Sequence, residues 1–174
     1  VGGVVGFVEN GTVTGCTVKG DTTKSQIIGR GYVGGLVGQF YDHQTPIEDC
    51  YVSVNVSGTE GVGGLIGVSY RLTIKRCSFV GSLEAENYVA GVIGEDCGDS
   101  ELYGCKAEVE ISVSQAYAAG LMNCDSVFTE KIVGSYAVGE IACDSSNAEP
   151  VGGLLTSSSA VNATVDSCYS MVVC

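Results

Sequence analysis

A six-residue pattern of small and apolar residues, called the hexamer below, recurs along the chain. The hexamer reads VGGLVG at 33–38 and VGGLIG at 62–67, and four related hexamers complete the series. All six cover residues 1–6, 33–38, 62–67, 89–94, 118–123 and 151–156. Their central glycines are spaced by 32, 29, 27, 29 and 33 residues. A recurring period of this size is typical of repeat proteins. We therefore expect a single repeat domain over 1–174, with repeats that start near residues 1, 33, 62, 89, 118 and 151.

A strand pattern follows each hexamer. Most copies place a cysteine 13 to 15 residues after the central glycine, with an aliphatic residue three positions before it. The cysteines are Cys16, Cys50, Cys77, Cys105 and Cys168, and Gly134 takes this position in the fifth copy. From Cys105 onward, apolar and polar residues alternate through Ile111. A period of two predicts a strand with one buried face, and it places the cysteines on that face.

Repeats of this length that contain only short strands cannot bury a core alone, so they must stack on their neighbours. A propeller blade needs ~40–45 residues and four strands, which these repeats do not supply. We therefore predict an all-β fold, a parallel β-solenoid (β-helix) of about six irregular coils with a right-handed winding. Equivalent residues would stack in columns at a rise of ~4.8 Å per coil.

The hexamer leaves one question open, because both of its faces are apolar. In VGGLVG one face carries Val33 and Val37, and the other carries Leu36. Alternation does not identify the inner face. The outward set is either buried under a loop or a neighbouring strand, or it forms an apolar stripe for lateral docking.

The composition narrows the classes of function. The chain has 20 acidic and 8 basic residues and a formal net charge of −12. Nucleic acids and anionic membrane surfaces are bound through clustered Lys and Arg, so we expect neither partner. No apolar run approaches the ~18 residues of a membrane span. The single histidine excludes His-rich zinc sites and the HExxH proteases.

Nine cysteines raise the question of disulfides. Stacked coils hold equivalent Cβ atoms parallel at ~4.8 Å, whereas a disulfide requires Cβ atoms ~3.8 Å apart that point towards each other. We predict free thiols in the cysteine column, where cysteine acts as a small hydrophobic residue. Cys97, Cys124 and Cys143 lie outside the column and are better candidates for pairing, with their partners left open. The absence of a CxxC sequence argues against a zinc knuckle.

The segments rich in Asp, Ser, Asn, Gly and Pro are predicted loops, where binding residues would lie. They cover residues 39–46, 95–101 and 143–150. The acidic residues Glu95, Asp96, Asp99 and Glu101 offer oxygen ligands for Ca²⁺, but the calcium-solenoid pattern is missing. We expect a solvated loop there.

Candidate catalytic groups are few. His43 lies in a predicted surface loop, and a cysteine nucleophile would need such a histidine beside it. We therefore predict no catalytic, cofactor-binding or metal-binding residues and no enzyme activity. A carbohydrate-active β-helix enzyme stays open as an alternative, by analogy of fold alone.

The hexamer, followed by an Ile/Val-x-x-Cys-Tyr strand, resembles the GLUG repeat of bacterial surface proteins. The resemblance is clearest where VGGLVG (33–38) precedes IEDCYVSVNVSG (47–58), and where VGGLLT (151–156) precedes VDSCYS (165–170). It implies a β-helical region of large secreted or wall-attached proteins, including adhesin-like proteins and the non-catalytic parts of immunoglobulin A peptidases. It implies no catalytic residue.

We expect a structural or binding segment, such as a stalk or adhesin-like repeat region, of a bacterial cell-surface or secreted protein. The alternative is a non-catalytic β-helical region of a surface peptidase. The expected partners are a host or matrix protein or a glycan, together with neighbouring repeats or domains of the same protein at both ends. The strands at the two ends carry no capping segment, so we expect the chain to be part of a longer one.

Overall fold

The regular elements of the chain are short β-strands that pair in parallel from one coil to the next. The computed structural model describes residues 1–21, 24–41, 45–115, 117–125, 129–143, 150–158 and 162–174. These residues contain strands, bends and turns and no helix. It follows that no described segment is a helix of the length and apolarity that a membrane crossing requires.

Each coil contributes a strand or a pair of short strands to each of four sheets, except that the first coil has only an isolated bridge at Gly2 in one of them. The first coil contains β1 (Val5–Glu9), β2 (Val13–Thr14), β3 (Thr17–Lys19) and β4 (Gln26–Ile28). The second contains β5 (Gly31–Gly34), β6 (Val37–Tyr41), β7 (Ile47–Glu48), β8 (Tyr51–Ser53) and β9 (Asn55–Ser57). The third contains β10 (Glu60–Gly63), β11 (Ile66–Tyr70), β12 (Thr73–Lys75) and β13 (Ser78–Ala85).

The later coils repeat this order. The fourth contains β14 (Asn87–Ala90), β15 (Ile93–Asp96), β16 (Glu101–Tyr103) and β17 (Lys106–Val113). The fifth contains β18 (Ala118–Ala119), β19 (Met122–Cys124), β20 (Thr129–Val133) and β21 (Tyr136–Cys143). The last contains β22 (Val151–Gly152), β23 (Leu155–Ser157), β24 (Asn162–Asp166) and β25 (Tyr169–Val173).

Four parallel sheets run along the stack. Sheet 1 joins β5, β10, β14, β18 and β22, and sheet 2 joins β1, β6, β11, β15, β19 and β23. Sheet 3 joins β2, β7, β12, β16, β20 and β24, and sheet 4 joins β3, β8, β13, β17, β21 and β25, with β4 and β9 alongside. From the bridge at Gly2 to Gly152 the chain makes five full turns, and it then passes once more through sheets 2, 3 and 4. The predicted parallel β-solenoid is confirmed.

The hexamer is a corner between two strands. In the second coil β5 ends at Gly34, a bend follows, and β6 begins at Val37. This bend turns Val33, Leu36 and Val37 into the core, where each is 0% exposed. The hexamers at 62–67 and 89–94 bury the same positions. The apolar residues of both hexamer faces are therefore buried in these coils, and they form no apolar stripe on the surface.

The central glycine of the hexamer lets successive corners stack. A Cβ atom on Gly64 would lie 2.2 Å from the carbonyl oxygen of Gly91 in the next coil and 2.3 Å from Cγ of Phe79 in sheet 4. A Cβ atom on Gly35 or on Gly120 would likewise lie 2.2 or 2.1 Å from the carbonyl oxygen of the central glycine in the next coil. Only glycine permits so close a backbone approach. The corner therefore packs directly against sheet 4, and the core between them is thin.

The cysteines that precede the sheet 4 strands form a column inside the core. The register of β8, β13 and β17 places Cys50, Cys77 and Cys105 above one another, and they are 2%, 0% and 0% exposed. Each thiol contacts the backbone carbonyl two residues earlier; Cys77 Sγ donates to the oxygen of Lys75 at 3.3 Å. The predicted cysteine column is confirmed, and all nine cysteines are free thiols in the structure.

In the fifth coil the column position belongs to Ser135, and its assignment to Gly134 from the spacing was wrong. The register pairs Lys106 with Tyr136, which aligns Ser135 with Cys105. The hydroxyl of Ser135 accepts a hydrogen bond from the backbone N–H of Cys105 at 2.9 Å. The hexamer-to-column distance varies by two residues among the coils, so spacing without a cysteine does not fix the position.

Candidate functional site: a buried carboxylate cluster

One core column changes from apolar to polar along the stack. The register of sheet 2 aligns Phe40, Ser69, Asp96 and Cys124 in successive coils. All four side chains are buried because this column faces the interior. Between the fourth and fifth coils the pairing shifts by one residue, from Ile93 to Asp96 on β15. A carboxylate and a thiol thus face each other at the one register irregularity of the described part of sheet 2.

Two serine hydroxyls hold one oxygen of Asp96. Ser69 Oγ donates to Asp96 Oδ1 at 2.7 Å, and Ser100 Oγ donates to the same oxygen at 2.6 Å. Ser69 lies on β11 in the coil below, and Ser100 precedes β16 in the same coil. Both serines are 0% exposed. The orientation of the Asp96 carboxylate is therefore determined by two buried donors from separate elements.

Glu130 reaches the same place from sheet 3. On β20, Glu130 and Ile132 share the inward face, and both are 0% exposed. The backbone N–H of Ser100 donates to Glu130 Oε2 at 2.9 Å. One oxygen of the Glu130 carboxyl group is thereby held by the segment that also supplies a donor to Asp96.

The other oxygen of each carboxyl group has no hydrogen-bond partner. Asp96 Oδ2 and Glu130 Oε1 are both buried and unpaired. A carboxylate oxygen of Asp96, a carboxylate oxygen of Glu130 and the Sγ atom of Cys124 lie within 4.8 Å of one another. We call Asp96, Cys124 and Glu130 the core cluster. Its geometry fits a cation, or a proton shared by the two carboxyl groups.

Burial raises the pKa of both carboxyl groups in the core cluster. At Asp96 the hydroxyl donors of Ser100 and Ser69 oppose that rise, because they favour the charged form. Burial first, and then the negative charge of Asp96, raise the pKa of Glu130 to about 9. With nothing bound, burial therefore favours a proton on this pair of carboxyl groups.

The four acidic residues that were predicted to lie in one solvated loop occupy different environments. Asp96 and Glu95 lie in β15 and are 0% and 7% exposed, so that expectation was wrong for these two. Asp99 pairs with Arg71 at 3.5 Å on the surface, and Glu101 begins β16. Of the four acidic residues, Asp96 alone enters the core cluster. His43, with residues 42–44, and most of the predicted loop at 143–150 lie outside the described residues.

A shallow groove of ≈ 420 Å³ lies on the outer face of sheet 4. Its lining includes Asn55, Val80, Ser82, Glu108, Glu110 and Val138. Glu110 is in register with Glu140 of the next coil, and both are exposed. Carboxylates and apolar side chains therefore share one accessible surface, unlike the carboxyl groups of the core cluster.

Comparison with protein families identifies the first coil. The sequence model of the GLUG motif matches residues 1–23. This segment carries a GLUG motif. It contains the first hexamer, β2 and Cys16. The same elements recur in register through the later coils, which is consistent with a GLUG-motif repeat region. Comparisons with curated proteins and with solved structures gave no match.

The core cluster lies outside the matched GLUG motif, and sequence reasoning named only part of it. Asp96 was considered as a calcium ligand and Cys124 as a disulfide candidate, each for a different site. Glu130 was missed, although its spacing of two from Ile132 places it on an inward face. The signal that would have found it is a charged residue at an inward position of a strand.

Proposed function

We propose that this chain is a rigid repeat segment, of the stalk or adhesin-like type, of a bacterial cell-surface or secreted protein. The observation that carries the proposal is the register of four parallel sheets through five turns. Backbone hydrogen bonds between coils lie along the stack, so bending or stretching must break rows of them together. The GLUG motif supports the same function by resemblance.

The outer face of sheet 4 is the surface that we propose for a host or matrix protein or a glycan. It combines the exposed carboxylates Glu108 and Glu110 with the side chains of Val80 and Val138. Carboxylates accept hydrogen bonds from sugar hydroxyls and from basic side chains, and the apolar residues add contact area. A rigid face of this kind keeps its shape on binding.

Neighbouring coils or domains are the partners that we propose at the two ends of the stack. In the last coil Met171 and Val173 are 70% and 69% exposed, and in the first coil Phe7 is 52% exposed. These side chains belong to edge strands whose outer backbone groups are available for further parallel pairing. A stacked coil or a docked domain would cover both the apolar side chains and the edges.

The proposed location, at the cell surface or outside the cell, is tested on intact cells of the source organism. An antibody against this chain should label unpermeabilised cells or detect the protein in the culture medium, and added protease should remove the cell-bound signal. A signal that appears only after lysis would contradict the proposal. A peptidase domain in the full-length surface protein would favour the alternative of a non-catalytic peptidase region.

The binding face is tested with arrays of glycans and matrix proteins. The wild-type chain should bind at least one array member, and the Glu108→Gln/Glu110→Gln variant should lose that binding. Glu60→Gln is the matched control, because Glu60 is exposed on sheet 1 and away from the groove. Equal loss in the control, or no binding by any form, would reject the binding face while leaving the rigid stalk in place.

A further inference from the structure

We propose that Asp96, Cys124 and Glu130 bind one zinc ion inside the solenoid. A carboxylate oxygen from each acid and the sulfur atom of Cys124 lie within 4.8 Å of one another, so one ion can contact all three. All three residues are 0% exposed. The site uses no CxxC sequence, which is why zinc-binding spacings do not reveal it.

The hydrogen bonds around the core cluster leave one oxygen of each carboxyl group without a donor. Asp96 Oδ1 is held by the hydroxyls of Ser69 and Ser100, and Glu130 Oε2 is held by the N–H of Ser100. Asp96 Oδ2 and Glu130 Oε1 remain unpaired in the interior. A buried carboxylate oxygen without a donor is strongly unfavourable. An ion bonded to both oxygens removes that penalty.

No positive side chain of the described residues compensates these carboxylates. The ion pairs in this part of the chain join Arg71, Lys75 and Arg76 to acidic groups on the surface. None of them involves Asp96 or Glu130. A compensating positive charge in the core must therefore come from a bound proton or a bound cation.

The thiol selects zinc over calcium or magnesium. Zinc takes thiolate and carboxylate ligands together, usually four in number, whereas calcium and magnesium prefer oxygen alone. Asp96, Cys124 and Glu130 supply three ligands, and one water completes the set. On binding, Cys124 and the protonated carboxyl group release their protons to solvent. The serines that hold Asp96 then act as the outer partners that orient a metal ligand.

The position of the core cluster gives the ion a structural role. Asp96 belongs to the fourth coil, whereas Cys124 and Glu130 belong to the fifth. The two coils meet at the register shift between β15 and β19. An ion bonded to both coils ties them together where regular pairing is interrupted. Because its ligands are buried, we expect zinc to enter during folding.

The experiment is refolding of the full chain, without a metal-binding tag, in the presence of zinc or of calcium. After dialysis, elemental analysis should find one zinc per chain and no retained calcium. Refolding with Co²⁺ should produce thiolate-to-cobalt charge-transfer absorption. Asp96→Asn, Cys124→Ser and Glu130→Gln should each abolish retained zinc and the cobalt signal. Cys97→Ser and Glu108→Gln are matched controls, which should keep both.

Several results would overturn the zinc site. One is wild-type protein that shows the circular dichroism of a folded β-protein, retains no zinc and melts at the same temperature with and without a chelator. In that case the carboxyl groups share a proton. The zinc site would also be rejected if Cys124→Ser retained zinc, or if the wild-type protein retained calcium in place of zinc. If the variants do not fold, the cobalt spectrum of the wild-type protein still tests the site. A spectrum without thiolate absorption would exclude Cys124 as a ligand.

Discussion

At the residue scale, the sharpest constraint is a column of left-handed residues before the cysteine column. In every coil, the residue immediately before the cysteine-column position has a positive φ. These residues are Gly15, Asp49, Arg76, Gly104, Gly134 and Ser167, with φ between 52 and 62°. Each coil turns from sheet 3 into sheet 4 at this position. The column therefore tolerates polar side chains but favours glycine, which has no Cβ strain there.

Gly104→Ala tests this backbone requirement. No heavy atom lies nearer than 4.0 Å to a Cβ built on Gly104, so the added methyl group meets no clash. The left-handed conformation alone should lower the free energy of unfolding by roughly 1–2 kcal/mol. Chemical denaturation measures the change. Gly31→Ala is the control, since Gly31 also has open space but no positive φ, and it should be close to neutral. Equal effects of the two substitutions would contradict this account.

The same column carries a surface ion pair between Arg76 and Asp49. Arg76 Nε donates to Asp49 Oδ1 at 2.7 Å, and a terminal nitrogen of the guanidinium donates to Oδ2 at 2.9 Å. These hydrogen bonds hold the pKa of Asp49 below its usual 3.8. A lowered pKa stabilises the fold above the unfolded-state pKa, and this contribution is lost as the pH falls through the folded-state pKa.

Arg76→Gln should therefore raise the pKa of Asp49 towards 3.8. The acid titration of the Asp49 carboxyl group by NMR measures the shift. The stability at neutral pH should change little, because exposed ion pairs contribute little. Arg71→Gln is the matched control: Arg71 pairs with Asp99, so the pKa of Asp49 should stay unchanged. An unchanged Asp49 pKa in Arg76→Gln would rule out this pairing in solution.

At the scale of the element, the hexamer corner determines how coils stack. β10 and β11 are separated by Gly64 and Leu65, and this bend lies against Phe79 of β13. The carbonyl oxygen of Gly91 occupies the space that a side chain on Gly64 would need. The corner is thus limited by backbone from the next coil, which cannot move aside without breaking the sheets.

Gly64→Ala should lower the free energy of unfolding by more than about 4 kcal/mol, or prevent folding. Thermal and denaturant unfolding, followed by circular dichroism, measure the effect. Adding Phe79→Ala should not restore stability, because the carbonyl of Gly91 remains in place. Gly6→Ala is the control in the same motif, since a Cβ on Gly6 meets nothing within 4 Å. Full rescue by the second substitution would show that the ring, not the backbone, limits the corner.

At the scale of the whole molecule, the solenoid protects its thiols according to their place in the stack. Cys50, Cys77, Cys105 and Cys124 are buried. Cys143 and Cys174 are exposed. Burial also raises the pKa of Cys105 to about 11, so that thiol stays protonated and unreactive near neutral pH.

Ellman's reagent should therefore react with the native chain in distinct phases. Cys143 and Cys174 should react first, and the four buried thiols should react only after denaturation. A double variant, Cys143→Ser/Cys174→Ser, should lack the fast phase and remain folded. Rapid reaction of all nine thiols in the native state would mean that the core is not closed as the structure has it.

The repeated hexamer and the period of two were sufficient for the sequence to determine the solenoid. Stacking repeats bury equivalent positions, so recurrence along the chain predicts columns such as Cys50, Cys77 and Cys105. Recurrence alone could not assign Ser135 to the cysteine column. The fifth coil has no cysteine at this position, and the distance from the hexamer to the column varies, so more than one register was compatible with the sequence. Hydrogen bonding between β17 and β21 decides that register.

Only the tertiary structure brought the core cluster together. Asp96 and Glu130 are 34 residues apart and belong to different sheets, so no local pattern joins them. Their meeting depends on how far the chain advances per coil and on the register shift at β15, which are properties of the stacked backbone. Sequence periodicity determines which residues face inward, whereas the hydrogen bonds between coils determine which inward residues touch.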